Sequence, residues 1–375
     1  MLADGLIYVL IFIMLWVSVV LESSKKVSRM GKILFTFSSI MLSLFIGFRW
    51  ETGTDWDSYK TLFDTIELDW SFLLNVYHFD IGYVLFNALV RIFTDNYTIF
   101  LCVNSIVTIY FLSKLIIKVS PYPNLSLFFF YTNFMIAQFM GSNRRMMAMV
   151  FVLWGFYYAY LYNKKKGLIS IGSAFLFHRA SIVSILSWFV PKKIWGIKKT
   201  IAILLASLCI GLVQLPAKMI DIAGHALGAI TGNPLVEKMI FYSENNEDHL
   251  VYATGSLIMS TILAVGKRSI LLAFYLYIAS RKKIDSLTQF FYNLYIVGFA
   301  GYLLFIGSFF QMLTAFFAFV EVLLIGRMYS YTSGKAKMAF CTLVFAYGIL
   351  QMMNALNVYP ELYIPYLPFW TDISR

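Results

Sequence analysis

Charge is what this 375-residue chain has least of: Asp, Glu, Lys and Arg make up 13% of it. About 25% is usual for a soluble domain, so no large soluble domain can be built from it. Cysteine is scarce too. Cys102, Cys209 and Cys341 lie singly inside apolar runs, which excludes a disulfide framework and any cysteine-based metal spacing. No internal repeat, low-complexity tract or domain-separating linker occurs, so residues 1–375 read as a single transmembrane domain. The N-terminus has neither a charged leader nor a small-residue cleavage site, and its first apolar run reads as an uncleaved anchor.

Apolar residues are what is there, at 60% of the sequence. Their runs recur near the ~20 residues that cross hydrocarbon. The expectation is an all-α polytopic integral membrane protein of about ten spans, over 5–21, 33–48, 97–117, 122–141, 146–162, 200–216, 253–280, 288–307, 309–328 and 337–357. Lysine and arginine outnumber the acids by 30 to 19. In a membrane protein that excess belongs to cytoplasmic loops and does not imply nucleic-acid binding. Lys25, Lys26, Arg29 and Lys32 place the first loop inside. Segments 49–80 and 217–250 are then the large external loops, and both termini lie outside.

Two stretches do not fit as spans. Residues 82–93 are too short, and 167–190 are interrupted by His178 and Arg179. If neither crosses, Lys164–Lys166, Lys192, Lys193, Lys198 and Lys199 all fall inside. The reading is a short half-helix at 82–93 and a re-entrant hairpin at 167–190 that dips in from the cytoplasm. Irregular backbone at that depth requires surrounding protein or a wet cavity.

A charge at membrane depth costs at least ~2.5–3.5 kcal/mol, so each asks for a reason. Span two ends in Arg49-Trp50-Glu51-Thr52-Gly53-Thr54-Asp55-Trp56-Asp57-Ser58-Tyr59. Gly53 permits a tight turn that would set Arg49 beside Asp55. Arginine can grip phosphate in a bidentate fork, and a carboxylate can serve as base toward a sugar hydroxyl. The plainer alternative is an Arg–Asp staple for the loop. Asp55-Trp56-Asp57 also spells a metal-binding DxD, a match too short to outweigh chance, and neither metal nor cofactor is expected. Arg144 and Arg145 open an apolar helix at its external end, where the helix dipole favours anions. Flanking arginines prefer the inside, which tells against an incidental placement. His178 and Arg179 sit mid-way in an otherwise nearly uncharged stretch and need a polar cavity; His178 could give a proton to a phosphate or sugar oxygen. Tyr242 and Tyr366 are candidate stacking surfaces for sugars, and equally residents of the headgroup zone. Lys267 and Arg268, within 253–280, find no explanation.

These segments together resemble the EpsG-type polysaccharide polymerases, the group that includes many Wzy O-antigen polymerases. Arg49 to Tyr59 is similar to that family's "R…GtD…Y" signature. Ser142 to Ala148 is similar to its "S-x-x-x-R-Q-x-x-A" segment, with Arg144 and Ala148 in place. Phe177-His178-Arg179-Ala180-Ser181 resembles its "FHxSA", with the last two residues inverted. Arg145 stands where the family usually has Gln, and Gln311 where members often have Arg. The resemblance implies a glycosyltransferase at the external face of a bacterial inner membrane, with undecaprenyl-diphosphate-linked glycans as donor and acceptor and a chain-length regulator as partner. Asp55, Arg49, Arg144 and His178 would be catalytic; Asp57, Tyr59, Arg145, Arg179, Tyr242, Gln311 and Tyr366 would bind substrate. A lipid-linked oligosaccharide flippase, an O-antigen ligase and a membrane O-acyltransferase are the alternatives. The first should show two related halves, and the last would not need paired arginines.

Overall fold

A computed structural model describes residues 5–23, 28–69, 79–216, 218–219, 222, 257–306 and 308–371. Tyr242 lies outside the described residues. The fold is all-α: among the described residues the only strands are the two-residue pair Arg49–Trp50 (β1) and Leu367–Pro368 (β2). Among the described residues, seven helices are long and apolar enough to cross a membrane: Leu6–Ser23, Met30–Gly47, Tyr97–Val119, Thr261–Arg281, Ser286–Leu304, Phe310–Ser330 and Gly334–Val358. The other three expected spans are shorter, less apolar or irregular helices. The chain is a multi-pass membrane protein. Its contacts group into two compact units, residues 1–188 with 322–375, and residues 189–321.

In the first unit, helices α1 (Leu6–Ser23), α2 (Ser28–Gly47), α5 (Tyr97–Val119) and α6 (Pro123–Phe130) form a packed frame. Between α2 and α5, in order, lie α3 (Trp56–Thr65) and α4 (Ile81–Arg91). Local chemistry sets the ends. Asn96 caps α5 by accepting from Thr98 N and Ile99 N, and Pro123 starts α6 where no N–H is required. Glu22, at the end of α1, accepts from Asn124 N and Nδ2, which fixes the start of α6 to α1. Helix α6 continues as a π-helix over Tyr131–Phe139, a form concentrated at functional sites. It ends at the Met140–Gly141 corner, and α7 (Asn143–Tyr160) runs back.

Helix α4 is the short helix expected near 82–93. Its 11 residues span only about 16 Å, half a membrane's hydrocarbon. Helix α8 (Lys164–Phe177) packs alongside α7 and breaks at His178, after which Arg179–Phe189 forms a 3-10 helix. The two arms return to a common level: a Cβ on Gly167 would stand 2.8 Å from Trp188 Cζ2. Segment 164–189 is thus a hairpin with His178 and Arg179 at its tip.

The closing helix α12 (Gly334–Val358) leads to a short turn that meets α1 and β1. Tyr8 Oη donates to Tyr363 O at 2.8 Å, and Gly53 N donates to Leu362 O. The first turn of α1, the 49–59 segment and the last turns of the chain therefore share one end of this unit.

The second unit holds α9 (Ile197–Leu212), α10 (Leu257–Arg281) and α11 (Ser286–Leu304). Helices α9 and α11 touch closely, with Gly211 against the Leu303 carbonyl. Asn293 Nδ2 donates to Pro191 O and Lys193 O, closing the loop before α9. Arg268, unexplained by the sequence, stacks 3.7 Å from the Tyr302 ring centroid and donates to Ala264 O.

Candidate functional site

The site is built where α3, α4, α7 and the hairpin tip converge in the first unit. Its frame is a turn only glycine can make. Gly53 has φ +108, and a Cβ there would lie 2.0 Å from Met140 O. The 49–55 segment is thereby pressed onto the Met140–Gly141 corner, and Thr54 Oγ1 lies 3.4 Å from Gly141 O.

Arg49 is 1% exposed and serves as a brace. Its Nη1 donates to Ile46 O, Nε to Thr52 O and Nη2 to Asn143 Oδ1 at 2.6 Å. The guanidinium thus ties the end of α2 to the first residue of α7. The plainer alternative, an Arg49–Asp55 staple, is not what forms, because backbone carbonyls and Asn143 take the Arg49 donors.

Asp55 instead joins a chain of hydroxyls. Thr54 Oγ1 donates to its Oδ1 and Tyr59 Oη to its Oδ2, each at 3.1 Å. Tyr59 Oη also lies 2.6 Å from Ser142 Oγ. A carboxylate only accepts and a phenol has one proton, so Ser142 donates to Tyr59 and Tyr59 to Asp55. Asp55 precedes α3 yet makes no side-chain cap, and its half-exposed carboxylate keeps room for another partner. Burial pushes the Tyr59 phenol up to about 12, so it stays protonated. Asp57 is exposed in the first turn of α3, outside this chain of bonds. Among the described residues no three His, Cys, Asp or Glu side chains gather as metal ligands would.

The cations assemble on an acid that the sequence reading left among the loop charges. Asp80, 6% exposed, accepts from Arg144 Nη1 at 2.9 Å and lies 3.1 Å from Arg179 Nε. The Arg179 backbone N–H donates to the same carboxylate, and His178 Nδ1 stands 3.5 Å away. Asp80 therefore gathers the start of α7 and the hairpin tip onto the start of α4. It holds the N-cap position of α4 without capping, and Gly82 follows, where a Cβ would meet Leu176 at 2.8 Å. That glycine lets α4 approach the last turn of α8 beside the tip. Burial lowers the His178 pKa below its usual 6.5, against the opposing pull of Asp80.

Arg145 donates Nη1 to Gln138 Oε1 of the π-helix at 3.2 Å. The Nε groups of Arg144 and Arg145 are buried and find no acceptor among the described residues. Such donors are uncommon in folded proteins and ask for an explanation. Phe79 joins the two halves of the site: the Arg144 guanidinium lies 5.5 Å and the Tyr59 ring 5.9 Å from its ring. Arg144, Arg145, His178, Arg179, Asp55 and Tyr59 are thus brought into one neighbourhood, with Arg49 behind it as a support. Tyr366 lies apart from the acid–arginine cluster, stacked on Phe45 and donating to Phe45 O. Gln311 belongs to the second unit, where its Nε2 donates to Tyr302 O.

Neither a curated protein nor a solved structure matches the chain. The family described as the EpsG family matches it across residues 32–368, a range that takes in every described residue of the site. This polytopic chain, with Arg144, Arg145 and Arg179 gathered in its first unit, belongs to the EpsG family of polysaccharide-polymerase-type membrane proteins.

Proposed function

We propose that this chain is a glycosyltransferase that polymerises oligosaccharide repeat units carried on undecaprenyl diphosphate, at the outer face of the bacterial inner membrane. One observation carries the reading: Arg144, His178 and Arg179 converge on a single acid, Asp80, with Arg145 next to Arg144 and bonded to Gln138, beside the Asp55–Tyr59–Ser142 chain. The cations outnumber that acid, and two guanidinium donors face no protein acceptor among the described residues. A diphosphate, dianionic and rich in acceptors, suits both features.

In the proposed reaction, a sugar hydroxyl of the acceptor attacks the anomeric carbon of the donor glycan. The bond from that carbon to the carrier diphosphate breaks, and the diphosphate leaves with the electron pair. Arg144 and Arg145 stabilise the charge that develops on it. The acceptor proton passes to Asp55, whose orientation Tyr59 holds. His178, neutral at pH 7 by its burial, lies within reach of the leaving group as a hydrogen-bond donor. Arg49 acts by positioning Asn143 and hence the start of α7.

The test is the glycan made by a strain lacking the gene. Polymerase loss leaves a single repeat unit on the core, and the wild-type gene restores the ladder. Arg144→Ala and Asp55→Ala proteins at normal membrane levels should restore none. Loss of even the single unit would indicate a flippase or ligase instead, and an intact ladder lacking acetyl groups an O-acyltransferase.

A further inference from the structure

We propose that the groove between α2 and α5 binds an anionic glycerophospholipid, with an acyl chain lying along the helices and the phosphate at Lys32 and Lys114. This inference does not depend on the catalytic reading.

The groove has a volume of about 530 Å³, within the ~300–1,000 Å³ of ligand sites. Ile40, Ile106 and Tyr110 form its walls, all exposed. Ser39 and Ser43, both buried and short, lie on its floor. Those hydroxyls are already used within the protein: Ser43 Oγ donates to Ser39 O at 2.9 Å, and Ser113 Oγ to Ser39 Oγ at 3.0 Å. The floor therefore offers an incoming molecule little but hydrocarbon contact, which suits an acyl chain and not a sugar.

One end of the groove is cationic. Lys114 lines it, its ammonium 5.6 Å from the Tyr110 ring centroid. An adjoining hollow of about 440 Å³ shares Thr36 and Ile40 with the groove and ends on Lys32. Among the described residues neither lysine has an acid within salt-bridge distance. Gly47 against Cys102 and Ser39 against Ser113 fix the antiparallel register of the two helices. That register puts Lys32 and Lys114 within roughly one to two helical turns (~5–9 Å) of each other in depth, at the end remote from Arg49. Basic pockets between membrane helices bind anionic headgroups, and here the pocket leads directly into a groove for the tail. A phosphate bound there meets uncompensated charge, whereas a zwitterionic headgroup brings its own cation.

The full-length protein in detergent micelles, supplied with phosphatidylglycerol or phosphatidylcholine of matched chains, tests this by native mass spectrometry. Phosphatidylglycerol should be retained in preference. Lys32→Gln and Lys114→Gln should each weaken its retention about fivefold. Ile106→Trp, which fills the groove and keeps both lysines, should reduce retention of either lipid. Lys282→Gln/Lys283→Gln, a change in another exposed basic pair, should alter nothing. The proposal fails if phosphatidylcholine is held as well as phosphatidylglycerol. It also fails if the folded lysine variants retain the anionic lipid undiminished, if the control pair matters as much, or if a polyprenyl phosphate displaces the phospholipid.

Discussion

Asp80 and Arg144, 64 positions apart in the chain, meet through an Nη1–Oδ2 contact of 2.9 Å at the centre of the candidate site. The same carboxylate holds the tip of the 164–189 hairpin through Arg179. One acid therefore sets the position of two cationic side chains. Asp80→Ala would leave Arg144 largely buried without its partner. Breaking a buried pair costs about 3–5 kcal/mol. The Arg144 side chain keeps 19% exposure and Arg179 52%, so the expected loss is at the lower end, near ~3 kcal/mol. A lowered thermal midpoint in detergent, together with loss of the glycan ladder, is the expected outcome. Asp80→Asn retaining full polymer length would contradict the assignment.

Tyr59 separates orientation from proton transfer. Tyr59→Phe removes the donor to Asp55 and leaves the buried Ser142 hydroxyl without its partner, a cost of about 1–3 kcal/mol. Polymer length should fall without vanishing, whereas Asp55→Asn should leave single repeat units. Gel profiles of the two variants, at matched membrane levels, make the comparison. Equal profiles would assign Tyr59 and Asp55 the same role.

His178 predicts a pH dependence. Its pKa in the fold is below 6.5, with burial the main cause. The unfolded chain therefore takes up a proton at a higher pH than the folded one, and stability must rise with pH between the two values. The contribution is complete above pH 6.5 and is lost as pH falls through the depressed value. Thermal midpoints measured across that window should decline on acidification. In His178→Asn the decline should be shallower, and an identical slope would remove His178 from the explanation.

Gly53 should tolerate no side chain. Gly53→Ala meets both a positive φ and the Met140 carbonyl at 2.0 Å. Backbone strain alone costs about 1–3 kcal/mol, and relieving the overlap moves the 49–55 segment off the Met140–Gly141 corner. The thermal midpoint should fall, and polymerisation should fall further than Asp57→Asn lowers it. A fully active Gly53→Ala protein would show that this corner need not be tight.

The helical architecture was legible from composition alone. Long apolar stretches must satisfy their backbone groups internally, which in lipid means helices. The break at His178 was legible as well, because a histidine and an arginine amid apolar residues are costly unless the chain turns there. Arg49 shows where such reading stops. Its charge and its place at the end of span two marked it as important, yet sequence spacing could not reveal that Ile46 O, Thr52 O and Asn143 would take its donors. Asp80 shows the opposite failure. It stood among the acids of a segment read as an external loop and carried no unusual local cost, so nothing near it in sequence distinguished it from a solvated charge.

The sequence by itself therefore determined a polytopic helical protein, because hydropathy acts on local stretches of chain. Which acid Arg144 and Arg179 share, and which hydroxyls Asp55 engages, was decided only by the tertiary structure. Those partners come from α3, α4, α7 and the hairpin, and hydrogen bonds across such separations depend on how the helices pack.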